Sequence, residues 1–104
     1  MNATALRKIN IAEDFTRFPA GRFRSDGPFS GQRFREECLQ PALEDSEVIE
    51  VELDGAAGFG SSFLDEAFGG LVRGNILKST EVSKRMKLHA SDESLITEIL
   101  SYMK

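Results

Sequence analysis

The chain has 104 residues with one His, one Cys and no Trp, a length that fits one domain over 1–104 and leaves no room for a second. Its 40% hydrophobic and 29% charged residues suit a folded globular protein rather than a disordered one, and no apolar run approaches the roughly 20 residues of a membrane span. Residues 1–15 lack a signal-peptide core, the lone Cys38 has no internal disulfide partner, and a net charge of −4 argues against nucleic acid held by bulk electrostatics; a cytoplasmic protein is expected.

Leu6-Arg7-Lys8-Ile9-Asn10-Ile11 alternates and is β-branched, which predicts a strand over about 5–12. Residues 13–30 mix turn formers with aromatics, and five of the eight Phe fall between 15 and 34. These rings either pin the loop to the core or offer an aromatic contact surface. A short strand at Arg22-Phe23-Arg24, closed by a turn at Ser25-Asp26-Gly27-Pro28, would bring the sheet to about four strands.

Ser30 suits the N-cap of a first helix running through Gln40 toward Leu43, with Phe34, Cys38, Leu39 and Leu43 on one face. Arg33, Arg35, Glu36 and Glu37 then face water, and Pro41 marks the last turn or the exit. Val48 to Leu53 reads as a core strand with one apolar face (Ile49, Val51, Leu53) and one partly charged face. A small-residue loop follows, and Ser61-Ser62 opens a second helix, with Ser62 and Asp65 spaced as a capping box. Gly69-Gly70 inside that helix costs roughly 1 kcal/mol per Gly relative to Ala, a cost tolerated where another backbone comes close or the helix is ending. Residues 75–84 connect to a strand at Arg85–His89, and Ser91 is expected to cap a terminal helix. Strands alternating with helices imply an α/β domain, a small mixed or mostly parallel sheet packed with three helices.

Charge is divided unevenly along this order. Residues 1–35 carry net +4, residues 36–72 carry ten acidic and no basic side chains, and residues 73–104 carry net +2. The middle segment holds the stretch where α/β sheets place ligands, from Asp54 through Gly58 and Gly60 to Ser61, Ser62, Asp65 and Glu66. A helix N-terminus there favours an anion or a phosphoserine. The stretch has no Walker lysine, and Phe63 replaces the third glycine of a dinucleotide fingerprint, so a tight nucleotide site is not expected unless Arg22, Arg24, Arg73 or Arg85 folds over the loop. Ser62 as a nucleophile would need His89 beside it, and Asp54, Asp65 and Glu66 could act as acid–base carboxylates. The simpler roles are that Asp54 ends a strand, Asp65 caps a helix and Glu66 faces solvent. No His/Cys cluster or EF-hand spacing calls for a metal, no cofactor is expected, and Cys38 reads as buried and inert.

The unit from Val48 through Gly55, followed by Gly60-Ser61-Ser62-Phe63-Leu64-Asp65-Glu66-Ala67-Phe68-Gly69-Gly70-Leu71, resembles a family of small bacterial and phage proteins classed as STAS-like domains of unknown function. Phe18-Pro19-Ala20-Gly21-Arg22 and Ser30-Gly31-Gln32-Arg33-Phe34-Arg35 agree with it, so the resemblance covers about 8–75. It implies a sheet flanked by helices, as in the distantly similar anti-sigma-factor antagonists. In those proteins a Ser at the N-terminus of the helix after a central strand is phosphorylated by a GHKL-type ATPase kinase, which switches binding. Ser62 or Ser61 matches that position, although Gly60 and Phe63 flank the pair where the antagonists have Asp before and a small residue after.

The expectation is a non-enzymatic regulatory module that binds a protein partner, a GHKL-type ATPase or kinase, through residues 54–66. The alternative is a phage or mobile-element inhibitor that binds a host or defence complex through an acidic face. A third class, a small enzyme using Asp54, Ser62 and Asp65, has the least behind it. The open face of the central strand leaves a homodimer as a further option.

Overall fold

In the computed structural model, which describes residues 4–104, Ile9, Val51 and Leu88 stand in register across three parallel strands. These are β1 (Thr4–Asn10), β2 (Ser46–Glu52) and β3 (Met86–His89), with β2 in the centre. Ile49, Val51 and Leu53 are buried, while Val48, Glu50 and Glu52 on the other face are half-buried, which is the division that the alternation predicts. The helices are α1 (Ile11–Asp14), α2 (residues 31–45), α3 (residues 61–73), α4 (Val82–Arg85) and α5 (Glu93–Tyr102).

The sheet has three strands among the described residues, not about four. Residues 22–24 do not pair as a strand, because the Asp26 carboxylate accepts the N–H groups of Arg22 (3.1 Å) and Phe23 (2.8 Å). That side-chain closure folds Arg24–Asp26 into a 3-10 turn and removes the donors a ladder would need. β1 also ends earlier than expected, since Asn10 caps α1 by accepting the Glu13 N–H.

Ser30 caps α2 as predicted, its hydroxyl accepting the Arg33 N–H at 3.1 Å. The helix nevertheless runs past Pro41 to Asp45. Residues Arg35–Leu39 widen to i→i+5 bonding, with the Gln40 N–H reaching the Arg35 carbonyl. A wider turn just before Pro41 eases the clash between the proline ring and the preceding carbonyls, so the proline is accommodated without ending the helix. α3 carries the same feature at Asp65–Gly69, where the Gly70 N–H reaches the Asp65 carbonyl. The connection after α3 is less polar in effect than its composition, since Leu77 and Val82 are buried and Ser79–Glu81 forms a 3-10 turn leading into α4. Asp92, not Ser91, caps α5, accepting the Ser94 N–H at 3.0 Å.

Phe34, Phe63 and Phe68 form the fully buried centre of the core, with ring centroids 6.0 and 6.2 Å apart around Phe34. Each such ring contributes about 1.5–3 kcal/mol through burial. The loop phenylalanines divide. Phe15 packs on Phe29 and Phe34 and pins the loop, whereas Phe18 and Phe23 remain exposed. α2 and α3 meet at Gly31, where a Cβ would run into the carbonyl of Phe63. Cys38 is half-buried, and burial pushes its thiol pKa up, which suits an unreactive packing residue. Among the described residues no helix is long and apolar enough to cross a membrane.

Candidate functional site

The loops that leave the carboxyl ends of the three parallel strands are tied together. After β2, Asp54 accepts the Ser91 N–H at 3.0 Å and the Ser91 hydroxyl at 2.7 Å, which joins it to the turn after β3. Those two bonds hold the Asp54 carboxyl below its ordinary pKa. Ser91 is thus occupied by Asp54, which is why Asp92 takes the capping position. The Ala57 N–H donates to the Arg17 carbonyl at 2.8 Å, which joins the same loop to the one after β1. Gly55 makes the turn possible with φ of +101°. A depression of about 330 Å³ lies between this loop and α5, lined by Asp54, Ala56, Phe59, Asp92 and Leu95 among others.

Gly58, which lines the depression, is exposed, as are Gly60, Ser61 and Ser62 where the loop passes into α3. A Cβ at Gly58 or Gly60 would meet nothing within 4 Å. The predicted capping box is absent: Gly60 is the N-cap residue, and no side-chain cap bond closes the first turn of α3. The reason lies one turn further on, where the Asp65 carboxylate is taken by arginines. Arg22 donates to Asp65 Oδ2 at 2.9 Å and Arg73 to Asp65 Oδ1 at 2.8 Å.

Glu66 does not face solvent as expected; its side chain is only 13% exposed and receives Arg35 Nη1 at 2.6 Å. Arg35, placed among the water-facing residues of the first helix, has a side chain 12% exposed and also donates to the Glu66 carbonyl at 2.6 Å. Burial works against ionisation of Asp65, but the hydrogen bonds from Arg22 and Arg73 outweigh it and hold the carboxyl below its usual value.

Arg35 is the residue that sequence reasoning missed, and Gly69-Gly70 was the signal for it. A Cβ at Gly70 would overlap the Arg35 guanidinium, and one at Gly69 would stand 3.0 Å from the Tyr102 carbonyl at the end of α5. The two glycines clear space for a charged side chain and for another backbone.

The candidate residues therefore fall into two groups. Asp54, Gly58, Gly60, Ser61 and Ser62 share the loop end of the sheet, while Asp65 and Glu66 belong to a packed cluster with Arg22, Arg35 and Arg73. The basic side chains absent from residues 36–72 come from either flank. His89 is not a partner for Ser62; its Nε2 lies 3.0 Å from Glu50 Oε1, on the half-covered face of the sheet. Among the described residues no group of three or more His, Cys, Asp or Glu is gathered to hold a metal.

A family model described as a STAS-like domain of unknown function matches residues 30–94, more than half of the chain. The chain belongs to that family. In this STAS-like domain the match takes in α2, β2, α3, β3 and the loop 54–60, and it reaches into residues 76–94, beyond the stretch that carried the sequence resemblance. β1 and the loop with Phe18 lie outside it. No curated protein and no solved structure matches the chain.

Proposed function

We propose that this STAS-like domain is a non-enzymatic regulatory module that binds another protein through the strand–loop–helix surface of residues 54–62. Phosphorylation of Ser61 or Ser62 by a partner kinase of the GHKL ATPase type switches that binding. The observation that carries the reading is the state of the two serines. Both are exposed at the first turn of α3, and among the described residues neither hydroxyl makes a hydrogen bond.

A phosphate there adds about −1.5 to −2 charge beside unsatisfied N–H groups and the positive end of a helix, so the domain itself accommodates it. A partner surface shaped for the neutral hydroxyl would not. Asp65 and Glu66 support this indirectly: their charges are already met by arginines, so they do not repel a phosphate as free carboxylates one turn away would.

The reading as an inhibitor with an acidic face draws less support. Of the acidic block, Glu36, Glu37, Asp45, Asp65 and Glu66 each lie within ion-pair distance of an arginine, which leaves a patchwork rather than a continuous anionic surface.

The deciding experiment captures partners from the native host with the wild-type chain and with Ser61→Ala, Ser62→Ala and Ser62→Asp, followed by mass spectrometry and phosphosite mapping. One protein should be held by wild type and by the alanine variants and released by Ser62→Asp, with phosphate on Ser61 or Ser62. Equal capture by all four chains and no phosphate at either position would overturn the proposal.

A further inference from the structure

We infer that Arg17 and Phe18 form a preorganised anchor that enters an apolar, carboxylate-rimmed cleft on a protein partner. The inference rests on the protein-binding reading above and extends its surface from the loop after β2 to the loop after β1.

Phe18 is 70% exposed, the most of the four large apolar side chains left in solvent. Its exposure is not that of a loose loop. Thr16 and Pro19 on either side are buried. The Thr16 N–H donates to the Ile11 carbonyl at 2.8 Å, and the Thr16 hydroxyl accepts the Phe18 N–H at 3.1 Å. The Arg17 carbonyl accepts the Ala57 N–H at 2.8 Å, and the Ala20 N–H donates to the Phe29 carbonyl at 3.1 Å. Phe15, three residues earlier, is packed on Phe29, Phe34 and Phe63. The backbone on both sides of Phe18 is fixed, and the ring is held out in water.

Arg17 is exceptional in a second, independent way. The chain has eight arginines. Arg7, Arg22, Arg24, Arg33, Arg35 and Arg73 each meet a carboxylate, and Arg85 donates to the carbonyls of Leu43, Ser46 and Glu47. Among the described residues only Arg17 has neither kind of partner, and it is exposed.

Aromatic rings and arginines dominate binding hot spots, and an anchor already held in place costs little ordering on association. The ring calls for an apolar cleft, and the unpaired guanidinium beside it calls for a carboxylate at the rim. A membrane is the poorer fit. A broad anionic bilayer would meet exposed Glu13, Asp14 and Asp54 on the adjoining segments as well as Arg17, whereas a single carboxylate at a cleft rim can be placed against Arg17 alone.

The test selects random linear peptides displayed on phage against the full chain, then measures the synthetic winners by fluorescence anisotropy. Enriched peptides should combine a bulky apolar residue with Asp or Glu. Phe18→Ala should weaken them at least about tenfold. Arg17→Gln should weaken them less and flatten the salt dependence of binding. Phe23→Ala, at the other exposed ring of the same loop, should leave affinity unchanged.

Peptides that lose affinity with Ser62→Asp but not with Phe18→Ala would overturn this inference and leave the proposed function standing. Peptides indifferent to both substitutions would count against both readings. No enrichment, or enrichment of basic peptides, would overturn the anchor. So would binding of the chain to phosphatidylglycerol vesicles that Phe18→Ala and Arg17→Gln abolish, which would assign the pair to a lipid surface.

Discussion

Helix α3 starts from one pair of glycines and carries another in its middle, and the two pairs have opposite surroundings. At Gly58 and Gly60 an added Cβ would stand in open space. At Gly69 it would lie 2.7 Å from both Asp65 Oδ1 and Arg73 Nη1, and at Gly70 it would overlap Arg35. The same residue type makes room for charge in one place and leaves surface uncovered in the other. Packing that supports the fold is concentrated around the inner pair, so the outer pair and its loops are free to serve contact with something else.

The packed region should break first at Gly31, whose missing side chain lets α2 lie against the Phe63 carbonyl. Because the obstacle is backbone, Gly31→Ala cannot be absorbed by turning a side chain aside. A loss of about 2–3 kcal/mol is expected, read as a lower urea midpoint with an unchanged slope. An unaltered midpoint would mean that the helix crossing is looser than the structure has it. Next comes Glu66→Gln, which takes from the largely buried Arg35 guanidinium its close charge partner at 2.6 Å, leaving only Glu36 at 4.0 Å, and should cost about 1–3 kcal/mol. Asp45→Asn is the control, because that carboxylate pairs with Arg7 in the open, away from Arg35, and should move stability by less than about 0.5 kcal/mol.

A smaller effect is pH-dependent. The folded-state pKa of Asp65 lies below the ordinary aspartate value of 3.8 because the Arg22 and Arg73 bonds outweigh the penalty of burial. The stability this contributes is complete above the unfolded value and is lost as pH falls through the folded one. Urea midpoints followed downward from neutral pH should therefore decline below about pH 4 more steeply for wild type than for Asp65→Asn. Asp54, Asp92 and Glu37 are shifted in the same direction and add to the slope common to both chains, so only the difference reports Asp65. Parallel curves would show that the arginines do not hold Asp65 in solution.

The strands were legible in the sequence because their pattern is local. Ile49, Val51 and Leu53 alternate with Val48, Glu50 and Glu52, and burial follows that period. Ser30 as a cap was equally local. What could not be read was any feature set by a distant partner. Ser62 and Asp65 have capping-box spacing, but Arg22, forty-three residues away from Asp65, competes for the carboxylate. Arg35 stands in a helix beside Glu36 and Glu37 as a solvent residue would, yet Gly70 makes a place for it. Pro41 marks a helix end by local rules, and only the widened turn at Arg35–Leu39 lets the helix pass it. For the candidate site, Asp54 and the two serines were found by their position after a strand. Phe18 was offered only as one of five rings that either pin the loop or make contact, and Arg17 was not found at all, because a free arginine is visible only once the partners of the other seven are known.

The smallest expected effect is at the outer glycines, and it bears most directly on function. Gly58 and Gly60 have neither a positive φ nor a close neighbour, so no steric reason demands glycine at either position. Replacing either with Ala narrows the unfolded chain's freedom while leaving the native backbone unstrained; stabilisation is the favoured sign at Gly58, whereas at Gly60 the poorer capping by Ala offsets it, and neither change should exceed about 0.5 kcal/mol. If loop 54–60 serves only to connect β2 to α3, those variants should also bind peptides or captured partners as wild type does. If the loop is the recognition surface, a methyl group there should obstruct close approach of a partner backbone, and affinity should fall while the melting temperature does not. That split between unchanged stability and reduced binding would separate a surface kept bare for contact from a loop that is merely short of side chains.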